Sequence, residues 1–434
     1  MTPELLKRLS DARARSDALF KLVSPEAIYD RPIPERHRLI FYVGHLEAFD
    51  WNLLRDWALG AKSSQPDFDR LFAFGIDPMD GASSDDRPSD YPPVDAVQDY
   101  ARIIRLTLDQ KLEKLVQARA RTSSGIALEL LLGVAVEHRL MHVETLAYML
   151  HQLPYQKKVR GKSIPAAATA PVVAAMVDIP AGTTMLGLAR SADAFAWDNE
   201  YEAHSVPVPA FAIDRFMVTN RQYLAFVVAG GYADRRFWGE ADWDWKETRA
   251  IAHPVFWKRA GNEWRYRSMF EEVPLPLNWP VYVAHAEASA YARWACKSLP
   301  TETEWQRAAY GTQDAGSRTY PWGSEPPDPE RCNSNLLHWD PCPVNALPRG
   351  QSAFGVQGML GNGWEWTDTP FAPFQGFSPF PFYRGYSTNF FDGKHFVLKG
   401  GSPRTASCFL RPTFRNWFQP RYQYVYAGFR CVRR

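Results

Sequence analysis

A chain of 434 residues with a net charge of +2 is too long for a single hydrophobic core and is expected to form two domains. That charge gives no reason to expect a nucleic acid or a membrane surface as partner. Five cysteines, odd in number and widely spaced, argue against a disulfide framework and fit a reducing compartment. The opening stretch is charged and amphipathic rather than a secretory leader, and no uninterrupted apolar run reaches membrane-spanning length. The expectation is a cytoplasmic protein.

Leu5, Leu6, Leu9, Leu19 and Phe20, set among charges, predict an amphipathic helix over about 3–22. Two prolines in RPIPERH break the pattern. A second helix, over about 37–59, is apolar on most sides and so largely buried. The connection GIDPMDGASSDDRPSDYPP that follows is long for a bundle loop, as mobile or functional loops are. Third and fourth helices fall at about 94–120 and 123–152. Four helices with one long crossover predict an all-α four-helix bundle whose sites are built from inward-facing residues.

After Pro154 the basic, then Ala/Pro-rich stretch YQKKVRGKSIPAAATAPVVAA reads as a linker, 156–176, between a helical domain at 1–155 and a second domain at 177–434. In the second domain short β-branched runs (VDIPAGTTMLG, VPVPAFAIDRFMVT, PVYVAHA, HFVLKGGS, AGFRCVRR) alternate with Gly, Pro, Asn and Trp. Two clear helices, NRQYLAFVVAG and HAEASAYARWACK, and a third candidate, TETEWQRAAY, are all the helix that shows. Aromatic residues make up 14% of the chain and concentrate after residue 197. The expectation is a loop-rich α+β domain held by aromatic packing.

The fourth helix carries His138 and His142 in EHRLMHVE. Four residues is about one helical turn, so both imidazoles leave one face roughly 6 Å apart and can reach one metal ion. His45 in the second helix is the candidate third ligand, and Glu144 a carboxylate that orients an imidazole from behind. Three neutral imidazoles leave coordination positions open, as a catalytic metal requires. The spacing suits zinc as well as iron, and an isolated His pair also occurs with no metal at all.

VTNRQYLAF, PVYVAHAEASAYARWA, LPTETEWQRAA, YPWG, GNGWEWT, LKGGS and GFRCVR resemble, in order, the signature segments of the formylglycine-generating-enzyme (sulfatase-modifying factor) family. That resemblance implies a C-type-lectin-like fold for 177–434. The His45 and His-x-x-x-His-x-Glu arrangement of the first half resembles a DinB-type bundle. The fusion, in this order, is similar to the ergothioneine and ovothiol synthases, non-haem iron enzymes that use dioxygen to join a sulfur donor to the imidazole of a histidine derivative.

The resemblance implies Fe(II) on His45, His138 and His142. In TFRNW, Asn416 and Trp417 correspond to residues that bind the trimethylated histidine, hercynine, and Arg415 is a candidate for its carboxylate. Arg87 is a second such arginine. Trp417, Tyr383 and Phe418 are candidate aromatic walls for the quaternary ammonium, which aromatic faces hold at about 0.5–2 kcal/mol per contact. Trp294, Trp305, Trp364 and Trp366 lie in fold-defining motifs and are expected to pack. Tyr383 and Tyr386 are the candidate catalytic acids, with Tyr91 a further one.

Two positions depart from the better-known ergothioneine synthases. Phe418 stands where they carry an acidic residue that helps hold γ-glutamylcysteine, and Phe380 stands where they carry a catalytic tyrosine. A neutral, aromatic donor pocket of Phe418 and Tyr422 suits a sugar, and LIFYVGHLEAFDWNLLR and LFAFGIDP look more like the selenoneine-synthase branch. Cys408 has no partner at the spacing of the copper-dependent relatives and is expected to be a buried small residue. The reading is a monomeric or weakly oligomeric iron enzyme coupling a selenosugar or thiol donor to hercynine with O2, its metal at the interface of the two domains. The alternatives are an ergothioneine sulfoxide synthase using cysteine or γ-glutamylcysteine, and a zinc-dependent thiol transferase.

Overall fold

The computed structural model describes residues 2–73, 86–159, 161, 170–314 and 316–434. Most of the long bundle connection and part of the predicted linker, including the selenoneine-like segment beyond Ala73, lie outside the described residues. The chain divides into two compact units, 1–162 and 163–434.

The first unit is helical: α1 Thr2–Phe20, α2 Leu39–Leu54, α3 Pro66–Leu71, α4 Val94–Gln117 and α5 Leu128–Gln152. In α1 the buried set is Leu9, Ala12, Arg13, Ser16 and Leu19, with Leu5, Leu6 and Phe20 half-buried. In α4 the buried set is Val97, Tyr100, Ile104, Leu108 and Leu112, a stripe at helical spacing. Nearly every residue of α2 and most of α5 are buried, and α5 packs on α1 and α2 while α2 packs on α4. Three details differ from the sequence reading. The second helix loosens into a π-helical turn over Arg55–Leu59 and stops at Gly60, which takes a left-handed φ of 56°. Residues 123–127 are not helical, because Ser123 and Ser124 bond back to the carbonyls of Ala58 and Trp57 and Gly125 adopts φ 76°. The short α3 was not foreseen; Pro66 begins it.

Behind the apolar stripes lies a buried ion network. Arg139 is fully buried and donates to Glu47 at 2.9 Å, to Asp50 at 2.7 Å and to the Leu46 carbonyl at 2.7 Å. Arg105 adds a second guanidinium to Glu47 at 2.6 Å and grips Asp17 with both terminal nitrogens at 2.7 Å. The two guanidinium groups hold the Glu47 carboxyl down at about 2 against the opposing effect of burial, whereas burial keeps Asp50 above its ordinary range despite Arg139. The network ties α1, α2, α4 and α5 together.

The second unit mixes short strands and helices: β1 Met176–Ile179, β2 Gly182–Leu186, β3 His204–Val208, β4 Phe211–Asp214, α6 Asn220–Val228, α7 Glu240–Thr248, β5 Trp257–Ala260, β6 Glu263–Arg267, β7 Glu272–Pro274, α8 His285–Trp294, α9 Glu302–Tyr310, β8 Gly363–Pro370, α10 Gly385–Thr388, β9 Phe396–Gly401, β10 Asn416–Phe418, β11 Ala427–Gly428 and β12 Val432–Arg433. Its sheets are small, in the orders β1-β4-β12, β10-β9-β8-β11, β2-β3 and β5-β6-β7. Helices α6, α8 and α9 match the sequence reading, whereas α7 and α10 are additional. PVYVAHA is not a strand: Pro280 has no N–H to give a ladder, and the N–H groups of Val281 and Val283 go to two separate segments, at Val218 and Ala427.

The segments that carry the resemblance are this unit's internal skeleton. Arg430 of GFRCVR and Glu365 of GNGWEWT form a fully buried bidentate pair at 2.6 and 2.7 Å, and Glu365 also accepts the Trp305 indole N–H at 3.0 Å. Thr219–Gln222 and Thr301–Glu304 are capping boxes that start α6 and α9. Gly400 of LKGGS sits at φ 96° with the Met359 carbonyl 3.0 Å from where a Cβ would stand, so a side chain there is strained. Trp305, Trp364 and Trp366 are buried in this scaffold, and Trp294 packs on Phe226 and Tyr291.

Candidate functional site

Three imidazoles meet inside the helical unit. His45 leaves α2, and His138 and His142 leave one face of α5, with one nitrogen of each lying within 4.8 Å of the others. An ion with metal–nitrogen bonds of about 2.1 Å spans that spacing after small rotations of the rings. His45 is tethered through Nδ1 to the Phe72 carbonyl at 2.8 Å. A carbonyl only accepts, so Nδ1 carries the proton and Nε2 keeps its lone pair. That Nε2, and Nδ1 of His142, are buried with no hydrogen-bond partner. Buried ring nitrogens without a hydrogen-bond partner are costly unless something binds them. The donor set therefore fits a metal ion.

Burial also sets the charge state. It is the main cause that pushes the His45 imidazole down to about 4, and it pushes His138 and His142 well below the ordinary histidine value, with the neighbouring imidazoles and Arg139 adding to the effect. All three imidazoles are neutral at neutral pH. The rings are braced by aromatic neighbours: Phe49 stacks on His138 with centroids 3.4 Å apart, Phe41 stacks on His45 at 5.1 Å, and Tyr42 tilts against His142 at 5.6 Å.

Glu144 is buried on α5, two residues on from His142. Tyr91 is half-buried beside Asp86, and burial together with that carboxylate pushes its hydroxyl above the usual range. Arg87 is exposed, in the turn before α4.

In the second unit, strand alternation divides the residues the sequence grouped together. Trp417 is the middle residue of β10, so its ring goes to the face opposite Asn416 and Phe418. Trp417 stacks on Phe371 at 4.1 Å and meets Tyr386 edge-on at 5.3 Å and Phe390 at 5.5 Å. Phe418 instead lies parallel to Tyr422 at 5.3 Å, both half-buried. Trp417 and Phe418 are thus not walls of one cage, contrary to the sequence expectation. Tyr383 sits 5.4 Å from Tyr386 and edge-on to Trp197 at 6.3 Å. Burial and the Asp198 carboxylate raise its hydroxyl above the usual tyrosine range, so it holds its proton.

One expectation on substrate binding needs correction. The Arg415 fork is already taken: it closes on Glu302 at 2.9 and 3.1 Å, donates to the Ala372 carbonyl, and stacks on Phe374. A buried guanidinium paired in this way has no fork left for a substrate carboxylate. Phe380 is buried against Phe382 and Trp197. Cys408 is half-buried rather than buried.

The sequence reading missed Phe72, Phe49 and the segment Trp197-Asp198-Asn199. Phe49 had a signal, four residues after His45 on one helix. Trp197 stacks on Tyr386 at 3.9 Å; Asp198 and Asn199 both bond Ser387, so this segment clamps α10, which carries Tyr386. No spacing rule links residues nearly two hundred positions apart.

A family model for the sulfatase-modifying factor enzyme 1-like domain matches residues 162–434. A hercynine oxygenase of Mycolicibacterium thermoresistibile is 39% identical over 307 residues, 69% of this chain and 68% of that protein. One from Mycobacterium tuberculosis is 41% identical over 251 residues, 57% of this chain and 58% of that protein. Ergothioneine biosynthesis protein 1 of Neurospora crassa is 27% identical over an alignment that takes in 95% of this chain and 56% of that protein. The chain thus spans little more than half the length of the last two. With the fold's skeleton built from the matched motifs, the chain belongs to the sulfatase-modifying-factor family, in the branch that includes the hercynine oxygenases.

Proposed function

We propose that the protein is a non-haem iron(II) enzyme that uses dioxygen to couple a selenium or sulfur donor to the imidazole carbon of hercynine. The observation that carries the reading is the convergence of three neutral imidazoles from α2 and α5, His45 and His138 buried and His142 half-buried. Kinship with proteins named for hercynine oxygenation and ergothioneine biosynthesis supports the substrate. In this reading residues 1–155 form a DinB-like bundle that supplies His45, His138 and His142, residues 177–434 bind the substrates, and 156–176 link them. The enzyme works in the cytoplasm as a monomer or weak oligomer.

Iron(II) supplies the redox chemistry by which dioxygen drives bond formation. The chain's own residues do the rest. His45 is fixed in the tautomer that offers Nε2, by Phe72. Trp417 orients hercynine, with the rings of Tyr386 and Phe390 around it, while Asn416 serves the other face of β10 with Phe418. Tyr383 and Tyr386 are the proton donors, and the raised Tyr383 hydroxyl keeps its proton available at Oη at neutral pH.

The parallel pair Phe418–Tyr422 favours a sugar-borne selenium donor, because flat apolar faces suit a sugar ring and repel no charge. A sulfur donor, cysteine or γ-glutamylcysteine, is the second reading, favoured by the names of the relatives. The test is enzyme loaded anaerobically with Fe(II), then given hercynine and oxygen with a selenosugar, cysteine and γ-glutamylcysteine in competition. Selenosugar consumption with a selenium-bearing product is the expected result. Consumption of none of the three refutes the reading, and a clear preference for γ-glutamylcysteine refutes the sugar pocket. Activity restored by Zn(II) in place of Fe(II) would give the protein to metal-assisted thiol transfer instead.

A further inference from the structure

The orientation of His45 depends on a peptide group outside the two ligand helices. Its Nδ1 donates to the carbonyl of Phe72, the residue that closes α3. Six residues cannot hold a helix in water by themselves, so α3 must be fixed from outside. Asp69 does this. It is almost fully buried, and its carboxylate accepts from the Trp51 indole at 2.9 Å, from Arg55 at 2.8 Å and from the Tyr100 hydroxyl at 2.8 Å. Its carbonyl accepts from Asn52 at 3.2 Å. Trp51 and Asn52 belong to α2 and Tyr100 to α4, while Arg55 opens the π-helical turn.

A second contact sets the height of Phe72. Its ring lies against Gly44, next to His45, so closely that a Cβ on Gly44 would fall 2.5 Å from ring carbons. Without a side chain on Gly44, the Phe72 ring can lie against α2 where its carbonyl meets the imidazole.

From this the geometry points to Asp69 as a positioning residue of the metal centre: through α3 and the Phe72 carbonyl it fixes the tautomer and ring angle of His45, while Gly44 sets the approach. The inference rests on the reading of the three histidines as a metal centre. Groups that orient ligands in this way typically govern metal affinity about 10–100-fold.

The test uses the full metal-free chain titrated anaerobically with cobalt(II), whose visible absorption reports ligand geometry, beside its thermal unfolding. Asp69→Asn keeps the volume but gives up the pairing with Arg55; Gly44→Ala drives Phe72 away while leaving every ligand intact. Leu112→Ala, which opens a cavity in the apolar stripe of α4, is the control for lost stability. Both test variants should bind cobalt at least about tenfold more weakly than wild type and with an altered band. Leu112→Ala should lower the unfolding temperature yet keep affinity and spectrum. Wild-type affinity and spectrum in Asp69→Asn and Gly44→Ala would overturn the inference, as would losses of affinity that track unfolding temperature across all three variants. If the wild type itself binds no cobalt and no iron(II), the metal reading has failed, which is a separate result.

Discussion

Acid should weaken the metal-free protein through the three histidines, in a window that the structure fixes. An unfolded His45 titrates near 6.5 and the folded one at about 4. Between those values the unfolded chain binds one proton more than the native chain, so stability rises with pH across the window and is lost as pH falls below 6.5. The slope for one such group is about 1.4 kcal/mol per pH unit, so moving from neutral pH to about pH 5 removes about 2 kcal/mol through His45 alone. His138 and His142 shift in the same direction and add to the loss. Urea unfolding of chelator-treated protein, followed by helical circular dichroism at several pH values, measures the slope. His45→Gln removes the titrating group while leaving an amide able to donate to the Phe72 carbonyl. Its stability should fall less steeply on acidification than that of wild type, by about one proton's worth. Parallel pH profiles for variant and wild type would refute the assignment of His45 as a buried neutral imidazole. Protons compete with a metal only on the folded imidazole, so iron(II) affinity of the folded chain should fall only as pH approaches the folded value of about 4.

Arg139→Met strands Glu47 and Asp50 in the interior beside their remaining partners, and should cost about 3–5 kcal/mol in urea unfolding; a loss under about 1 kcal/mol would mean that the network is solvated. Trp417→Ala should weaken hercynine binding by about 1 kcal/mol, roughly fivefold, in anaerobic calorimetry. A neutral analogue with a tert-butyl group in place of the trimethylammonium should bind both proteins alike, and an equal loss for both ligands would show lost packing rather than a cation–aromatic contact. Phe418→Asp should move the ratio of kcat/KM values toward γ-glutamylcysteine, whose amine the new carboxylate attracts; an unchanged ratio would remove Phe418 from donor selection.

Local order was legible in the sequence and long-range contact was not. The His138–His142 pair is a statement about helical phase, and phase is written in four consecutive turns of apolar residues along α5. The stripe of α4 is legible for the same reason. Capping boxes at Thr219 and Thr301 likewise mark helix starts within four residues. By contrast the Phe72 carbonyl belongs to the backbone, so no side-chain pattern announces it. Arg415 looked available for a substrate because Glu302 lies more than a hundred positions away. Trp417 and Phe418 looked like partners because they are adjacent, and adjacency in a strand means opposite faces. Residues 123–127 read as helix because two serines and a glycine are weak breakers on their own; their bonds to Ala58 and Trp57 decide the matter.

The ion network and the histidines occupy different sides of the same two helices, and that arrangement bears on how the centre is kept in order. On α2, His45 and Phe49 share a face, while Glu47 projects about 200° and Asp50 about 140° away from His45. On α5, Arg139 follows His138 directly and projects about 100° from it. Apolar contacts alone would fix the rotation of these helices poorly, since α2 and most of α5 are buried on every side and offer no polar face to set their phase. A guanidinium held by two carboxylates and a backbone carbonyl has one acceptable geometry. Turning either helix by one residue would leave a buried charge unpaired, at several kcal/mol. The network therefore sets the phase that brings His45 to face His138 and His142, and α3 sets the angle of the His45 ring. Helix rotation and ring orientation are controlled by separate contacts, so a substitution can disturb one and leave the other in place.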